Sequence, residues 1–206
     1  MKIRIVGMRK SFTISPKRAS SHQTARLLNI MQTFGIVRAK GEAMKLLTLN
    51  VHAWLEANQA EKIEILAETI IEKGYDIIAL QEVNQLMSSP AISPTLKQDN
   101  YGVILLNKIN QRVAQKYSLF WSNSHIGYDK YDEGIAFLTR LPVYDVDAFY
   151  CSQHQRLDSI LSRKIIGLTV EYQGQLIECY SCHINLPNCD GENQLDNVRY
   201  IVERSQ

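Results

Sequence analysis

No acidic side chain occurs before Glu42, while nine Lys or Arg residues fall within residues 1–43. A stretch with Ser and Arg but without acids reads like a transit peptide. It also lacks the apolar continuity of a membrane anchor, because residues 27–37 are interrupted by Asn29, Gln32 and Thr33. That segment is far below the roughly 20 residues needed to span a bilayer, and it makes a weak signal-peptide core. Cysteine is scarce as well, with four in the chain. Without a convincing export signal, a disulfide framework is not expected. No repeat occurs at the usual periods, which excludes a solenoid or propeller.

What remains is a chain of 206 residues, 45% hydrophobic. It is long enough for one domain with a substantial core and too short for two comfortable ones. Its net charge of +2 conceals a split, with +8 on residues 1–43 and −6 on the remainder. A body of that sign is a poor sequence-independent grip on nucleic acid, which is held by neutralising phosphates. A small anion needs only a local cationic pocket or a metal.

The leader admits three readings: upstream sequence that is not natively translated, a targeting peptide, or an ordered extension. The first is preferred, because Lys40-Gly41-Glu42 can be encoded by a purine-rich run resembling a ribosome-binding site ahead of Met44. The expectation is a basic leader over 1–43, disordered or not natively translated, followed by one domain over 44–206.

From Met44 the patterning sharpens. "KLLTLN" (45–50) suits a buried strand, and residues 60–73 place Ile63, Leu66, Ala67, Ile70 and Ile71 at helical spacing. Gly74 supplies a helix stop, and "YDIIALQEV" (75–83) follows as a second strand. Strand, helix and strand in that order suggest a crossover onto a parallel or mixed sheet. Residues 88–94 read as a Ser- and Pro-containing loop, and 100–115 as helix. Strands then follow in "YSLFWS", "GIAFLTR", "VYDVDAFYC", "SRKIIGLTVEY" and "QLIECYSCHI", with Gly174 at a hairpin turn. Residues 191–204 return to helical spacing.

Several strand ends carry polar side chains. Ligands gather beyond the carboxyl ends of strands in open α/β sheets, and both Asn50 and Glu82 are expected there. A carboxylate beside an amide is a hard-oxygen site suited to Mg²⁺ or Mn²⁺. On spacing alone, the plainer reading of Glu82 as the start of a solvated loop has the greater weight. His183 ends the strand "LIECYSCHI", although a lone histidine is more often structural than catalytic. "CYSCH" (179–183) matches a haem-attachment pattern. In a strand, however, Cys179 and Cys182 face opposite sides, so neither haem nor zinc is expected there.

Taken together, "LTLNVH" (47–52), "DIIALQEV" (76–83), "YDEGIAFLTRLPV" (131–143) and "CHI" (182–184) resemble the endonuclease/exonuclease/phosphatase superfamily, with its deoxyribonuclease-like fold. "SHIGYDKYDEGIAFLTR" (124–140) and "LTLNVHAW" further resemble its bacterial maltose 6′-phosphate phosphatase-like members. The resemblance implies an α/β fold, a four-layer α/β/β/α sandwich. It implies Mg²⁺ or Mn²⁺ held by Glu82, with Asn50 contacting the metal's water or the phosphate. It makes His183 the donor to a phosphoryl oxygen and Glu133 the partner that orients its imidazole.

The family's later motifs, Gly-Asp-x-Asn and Ser-Asp-His, are absent, since neither Gly-Asp nor Ser-Asp-His occurs in the chain. "CDGEN" (189–193) precedes the last helix and is no substitute. The expectation is a C-terminally truncated form of the domain. Its implied function is divalent-metal-dependent hydrolysis of a phosphoester, as a cytoplasmic bacterial phosphatase of a sugar phosphate or similar small anion. The alternatives are a nuclease or sphingomyelinase-type phosphodiesterase, or a non-catalytic fragment. A small phosphorylated substrate is the implied partner; nucleic acid is less favoured, and neither a membrane nor a protein partner is expected.

Overall fold

Met44–Asn50 forms β2, whose side chains alternate between two different cores. Leu47 and Leu49 enter one, and Met44 and Leu46 enter the other. That double burial is why the strand reads as a continuous apolar run. Ile77–Leu86, β3, repeats the arrangement, with Ile78 and Leu80 on one side and Ile77 and Ala79 on the other. The computed structural model describes residues 32–37, 43–186 and 192–204, the first segment as backbone. Most of the basic leader therefore lies outside the described residues. Gln32–Val37 forms β1, which pairs antiparallel with β2.

Between β2 and β3 runs α1, Gln59–Lys73, which buries Ile63, Ala67 and Ile70. Gly74 ends it at φ 60°, with its N–H on the Ile70 carbonyl at 2.9 Å. A left-handed residue here is least costly as glycine. β2 and β3 pair in parallel, as the crossover requires. The helix over 100–115 is shorter than its spacing suggests: α2 covers Tyr101–Asn110. Asn100 caps its start, its Oδ1 accepting from the Gly102 and Val103 amides at 2.9 and 3.3 Å. At its end the Asn110 side chain bonds the Tyr117 N–H and carbonyl instead, at 2.8 and 2.9 Å. Val113 still packs on the core, so the apolar spacing continues past the helix.

Ser118–Gly127 forms β4 and Tyr131–Thr139 forms β5, both longer than the apolar runs within them. The first sheet is ordered β1-β2-β3-β5-β4. Val143–Tyr150, Lys164–Tyr172 and Gln175–Ser181 are β6, β7 and β8, an antiparallel second sheet in that order. The turn between β7 and β8 has φ 52° at Gln173 and 74° at Gly174, the double left-handed geometry of a tight two-residue hairpin. The last helix, α3, is Gln194–Arg204.

Three cores separate four layers. α1 and α2 cover one face of the first sheet through Ile63, Ile70, Leu105 and Ile109. Its other face meets the second sheet through Phe137, Ile166, Leu168 and Ile177. The second sheet's far face meets α3 through Phe149, Ile165 and Ile201. This is the α/β/β/α sandwich. Cys179 enters the core between the sheets and Cys182 the core beneath α3. Burial pushes the Cys179 thiol up to about 12, which suits a small hydrophobe rather than a thiolate ligand. Cys189 lies outside the described residues. Among the described residues, no helix is long and apolar enough to cross a membrane.

Candidate functional site

Glu82 is not a strand-end residue. Pairing of β3 with β2 stops at Gln81, but β3 continues against β5 as far as Leu86. The register with β5 shifts between Gln81 and Val83, and Glu82 has φ 53°. It is thus the extra residue of a β-bulge, a device that re-aims a side chain out of the pleat's alternation. Its neighbours stay inside. Gln81 Nε2 reaches Ser181 Oγ across the sheets at 3.1 Å, and Val83 is fully buried. The expected strand end holds only on the β2 side of Glu82, where the parallel ladder finishes.

The bulge turns the carboxylate toward the end of β2. Asn50 Nδ2 donates to Glu82 Oε1 at 2.7 Å, and His183 Nε2 lies 3.6 Å from the same oxygen. Asn50 Oδ1 accepts from the His52 N–H at 3.0 Å. His52 faces the other oxygen, with Nε2 3.9 Å from Glu82 Oε2. Its Nδ1 meets Glu56 Oε1 at 2.8 Å, and Lys62 Nζ donates to Glu56 Oε2 at 2.6 Å. Those two contacts, Lys62 first, hold the Glu56 carboxyl below its ordinary range. The loop bearing His52 and Glu56 has left-handed backbone at His52, Trp54 and Asn58. Glu82 keeps 17% side-chain exposure and His183 keeps 29%, so both can meet a solute.

Three of the four sequence-derived site residues therefore meet at one carboxylate. Glu133 lies elsewhere on the same wall. It and His183 line a cleft with Ser124, His125, Ser162 and Arg163, but the imidazole it touches belongs to His125, at 3.3 Å. Burial acts to raise the Glu133 pKa; the His125 hydrogen bond and the charges of His125, His183 and Arg163 outweigh it, leaving the group below 4.5. Its ionisation therefore stabilises the fold above its unfolded-state pKa, and this contribution disappears as pH falls through the lower folded-state value. Urea denaturation of the Glu133→Gln chain is expected to lose less stability than the parent on acidification from pH 5 to 3. An identical decline would reject the assignment.

Sequence reasoning missed His52 and His125. The first stands two residues beyond Asn50 in a quoted motif; the second lies opposite Glu133 once β4 is extended to Gly127. A larger concavity, about 340 Å³, is lined by Asp145, Asp147, Glu178 and Arg204. It lies on the α3 side of the second sheet, and its acidic lining disfavours an anion.

Among the described residues, no three His, Cys, Asp or Glu side chains form a ready-made metal cage. The donor set nevertheless fits a hard cation. Glu82 Oε2 has His52 at 3.9 Å as its near partner, and Mg²⁺ is commonly held by one or two carboxylates with water and substrate phosphate.

No family model matches the sequence, and no curated protein does. Solved structures do. An endonuclease/exonuclease/phosphatase family protein from Leptotrichia buccalis C-1013-b is 51% identical, with a TM-score of 0.77 over 80% of this chain and 64% of that one. The structural neighbours of the present chain are endonuclease/exonuclease/phosphatase proteins, and the chain has their fold. A mannosyl-6-phosphatase from Bacteroides thetaiotaomicron VPI-5482 is 13% identical, with a TM-score of 0.55 over 79% of this chain and 58% of that one. D. rerio TDP2, complexed with a single-strand DNA product, is 14% identical, with a TM-score of 0.54 over 79% and 54%. At those identities the endonuclease/exonuclease/phosphatase fold is what is shared. The chain spans less than two thirds of each neighbour's length.

Proposed function

We propose that the Glu82 site belongs to a divalent-metal-dependent phosphoester hydrolase, a phosphatase acting on a sugar phosphate or similar small anion. The observation that carries this reading is the convergence of Asn50 and His183, 133 residues apart in sequence, on the single, partly buried carboxylate of Glu82.

Bound Mg²⁺ or Mn²⁺ would neutralise charge on the phosphoryl oxygens. Glu82 would anchor that ion, with one of its oxygens fixed by the Asn50 amide and the other, facing His52, left for the cation. Phosphoryl transfer asks little covalent chemistry of the protein and much positioning. His183 Nε2, beside the carboxylate, donates a hydrogen bond to a phosphoryl oxygen. Glu133 lines the same cleft and, although its hydrogen bond goes to His125, its negative charge favours the protonated, donating form of the His183 imidazole. The acidic body, −6 over residues 44–206, supports a small substrate over DNA.

The test is phosphate release from sugar 6-phosphates, nucleotides and plasmid DNA, with Mg²⁺ or Mn²⁺ and with chelator. Release from sugar phosphates ahead of the others, abolished by chelator, supports the reading. A preference for DNA would overturn the substrate class, and release unaffected by chelator would overturn the metal.

A further inference from the structure

The hairpin of β4 and β5 carries a pair set back from the Glu82 carboxylate. His125 and Glu133 are cross-strand partners, brought opposite each other by a register shift between Asn123 and His125. Both are buried, at 5% and 8% exposure, and His125 Nε2 lies 3.3 Å from Glu133 Oε1. Gly127, two residues after His125, adds a second constraint. A Cβ there would stand 2.9 Å from Glu133 Oε2 and 3.4 Å from the Glu133 Cβ. One oxygen is thus set against an imidazole, and the other lies over a glycine that leaves it room.

We propose that His125 is a positioning residue which, with the slot over Gly127, fixes the Glu133 carboxylate as an anion in one orientation on the wall it shares with His183. The proposal rests on the reading of Glu133 as the carboxylate whose charge favours the donating form of His183. A carboxylate so far from water is driven toward its neutral form unless a donor meets it. His125 is suited to be that donor. Its Nδ1 is buried with no hydrogen-bond partner among the described residues, so a proton placed there would be an orphan donor. A proton on Nε2 meets Glu133 instead. The net depression of the Glu133 pKa despite burial is the electrostatic counterpart of this geometry.

The alternative is that His125 merely fills space, which requires no coupling between the two groups. NMR of the isotope-labelled full chain separates the two, reading the His125 ring nitrogens and the Glu133 carboxyl carbon across pH. The expected result is a proton on His125 Nε2 and a Glu133 midpoint below its ordinary 4.5. His125→Leu should shift that midpoint upward, because burial then acts unopposed. His125→Gln, whose amide can donate, should restore part of the depression, which a packing role would not do. Gly127→Ala should displace the Glu133 signal while leaving His125 in place.

A bare Nε2, or an unchanged Glu133 midpoint in folded His125→Leu, would overturn the proposal. The ring measurement needs no substitution, so the answer survives a variant that fails to fold. Glu133→Gln in the same experiment should move the His183 ring signals. Unmoved signals there would overturn the pairing of Glu133 with His183, a failure distinct from that of the His125 contact.

Discussion

Asp76→Ala is expected to lower the unfolding free energy by about 3 kcal/mol, the lower end of what breaking a buried ion pair costs. Asp76 is only 7% exposed and sits where α1 hands over to β3. Its Oδ1 accepts from Arg140 Nε and Nη2 at 3.0 and 2.8 Å, and its Oδ2 accepts from the Lys45 N–H at 2.8 Å. Arg140 Nη2 also reaches the Gly74 carbonyl at 2.9 Å. Four segments are thereby tied together: the start of β2, the end of α1, the start of β3 and the end of β5. Burial acts to lower the Arg140 pKa, and the bond to Asp76 together with the charges of Tyr117, Asp76 and Tyr172 outweighs it, leaving the group above its ordinary value.

Alanine would leave the guanidinium and the Lys45 amide without that acceptor. The guanidinium keeps 29% exposure, so water relieves part of the penalty and the lower figure applies. The check is a urea titration of the folded chain, with the midpoint shifting at constant slope. Asp76→Asn, which keeps an oxygen acceptor, should cost less than alanine. A loss under about 1 kcal/mol would show the pair to be no stronger than an exposed one.

Much of this architecture is legible in the sequence because burial on both faces leaves a continuous apolar run. β2 and the first half of β3 are such runs, and the helix between them has a clean stripe and a glycine stop. The errors have physical sources too. A bulge alters the backbone without altering composition, so Glu82 reads as a strand end although β3 continues for four more residues. The outer half of β4, "SNSHIG" (122–127), is polar, and the strand is held there by pairing with β5 rather than by apolar pattern. That hid His125 and left Glu133 with His183 as its only assigned partner. α2 reads too long because Val113 keeps the helical spacing after the backbone has left the helix. Asn50, Glu82 and His183 were legible through short motifs at the ends of three segments. His52 was not, since a left-handed loop residue carries no periodic signal.

Glu82→Gln is expected to lower Mn²⁺ affinity by at least ~100-fold, beyond the usual cost of losing an outer-shell contact to a bound metal, and to reduce metal-dependent phosphate release to background. The substitution keeps volume and leaves an oxygen for Asn50 Nδ2, so the fold should be retained and the lost quantity is the charge. Electron paramagnetic resonance of free against bound Mn²⁺ reads the affinity without requiring turnover. His183→Ala should separate from it, leaving Mn²⁺ affinity within a few-fold while lowering release by about 10²–10³, the usual cost of a missing donor to a developing oxyanion. Mn²⁺ held equally well by Glu82→Gln would move the cation elsewhere and end the case for this carboxylate. Backbone strain gives an independent handle, because a non-glycine residue at φ 53° costs on the order of 1–3 kcal/mol and persists where its surroundings hold it. Glu82→Gly should therefore be at least as stable as Glu82→Ala, and as poor as Glu82→Gln at binding Mn²⁺. Stability would rise where cation binding falls, as expected if the bulge is kept for its carboxylate and not for the fold.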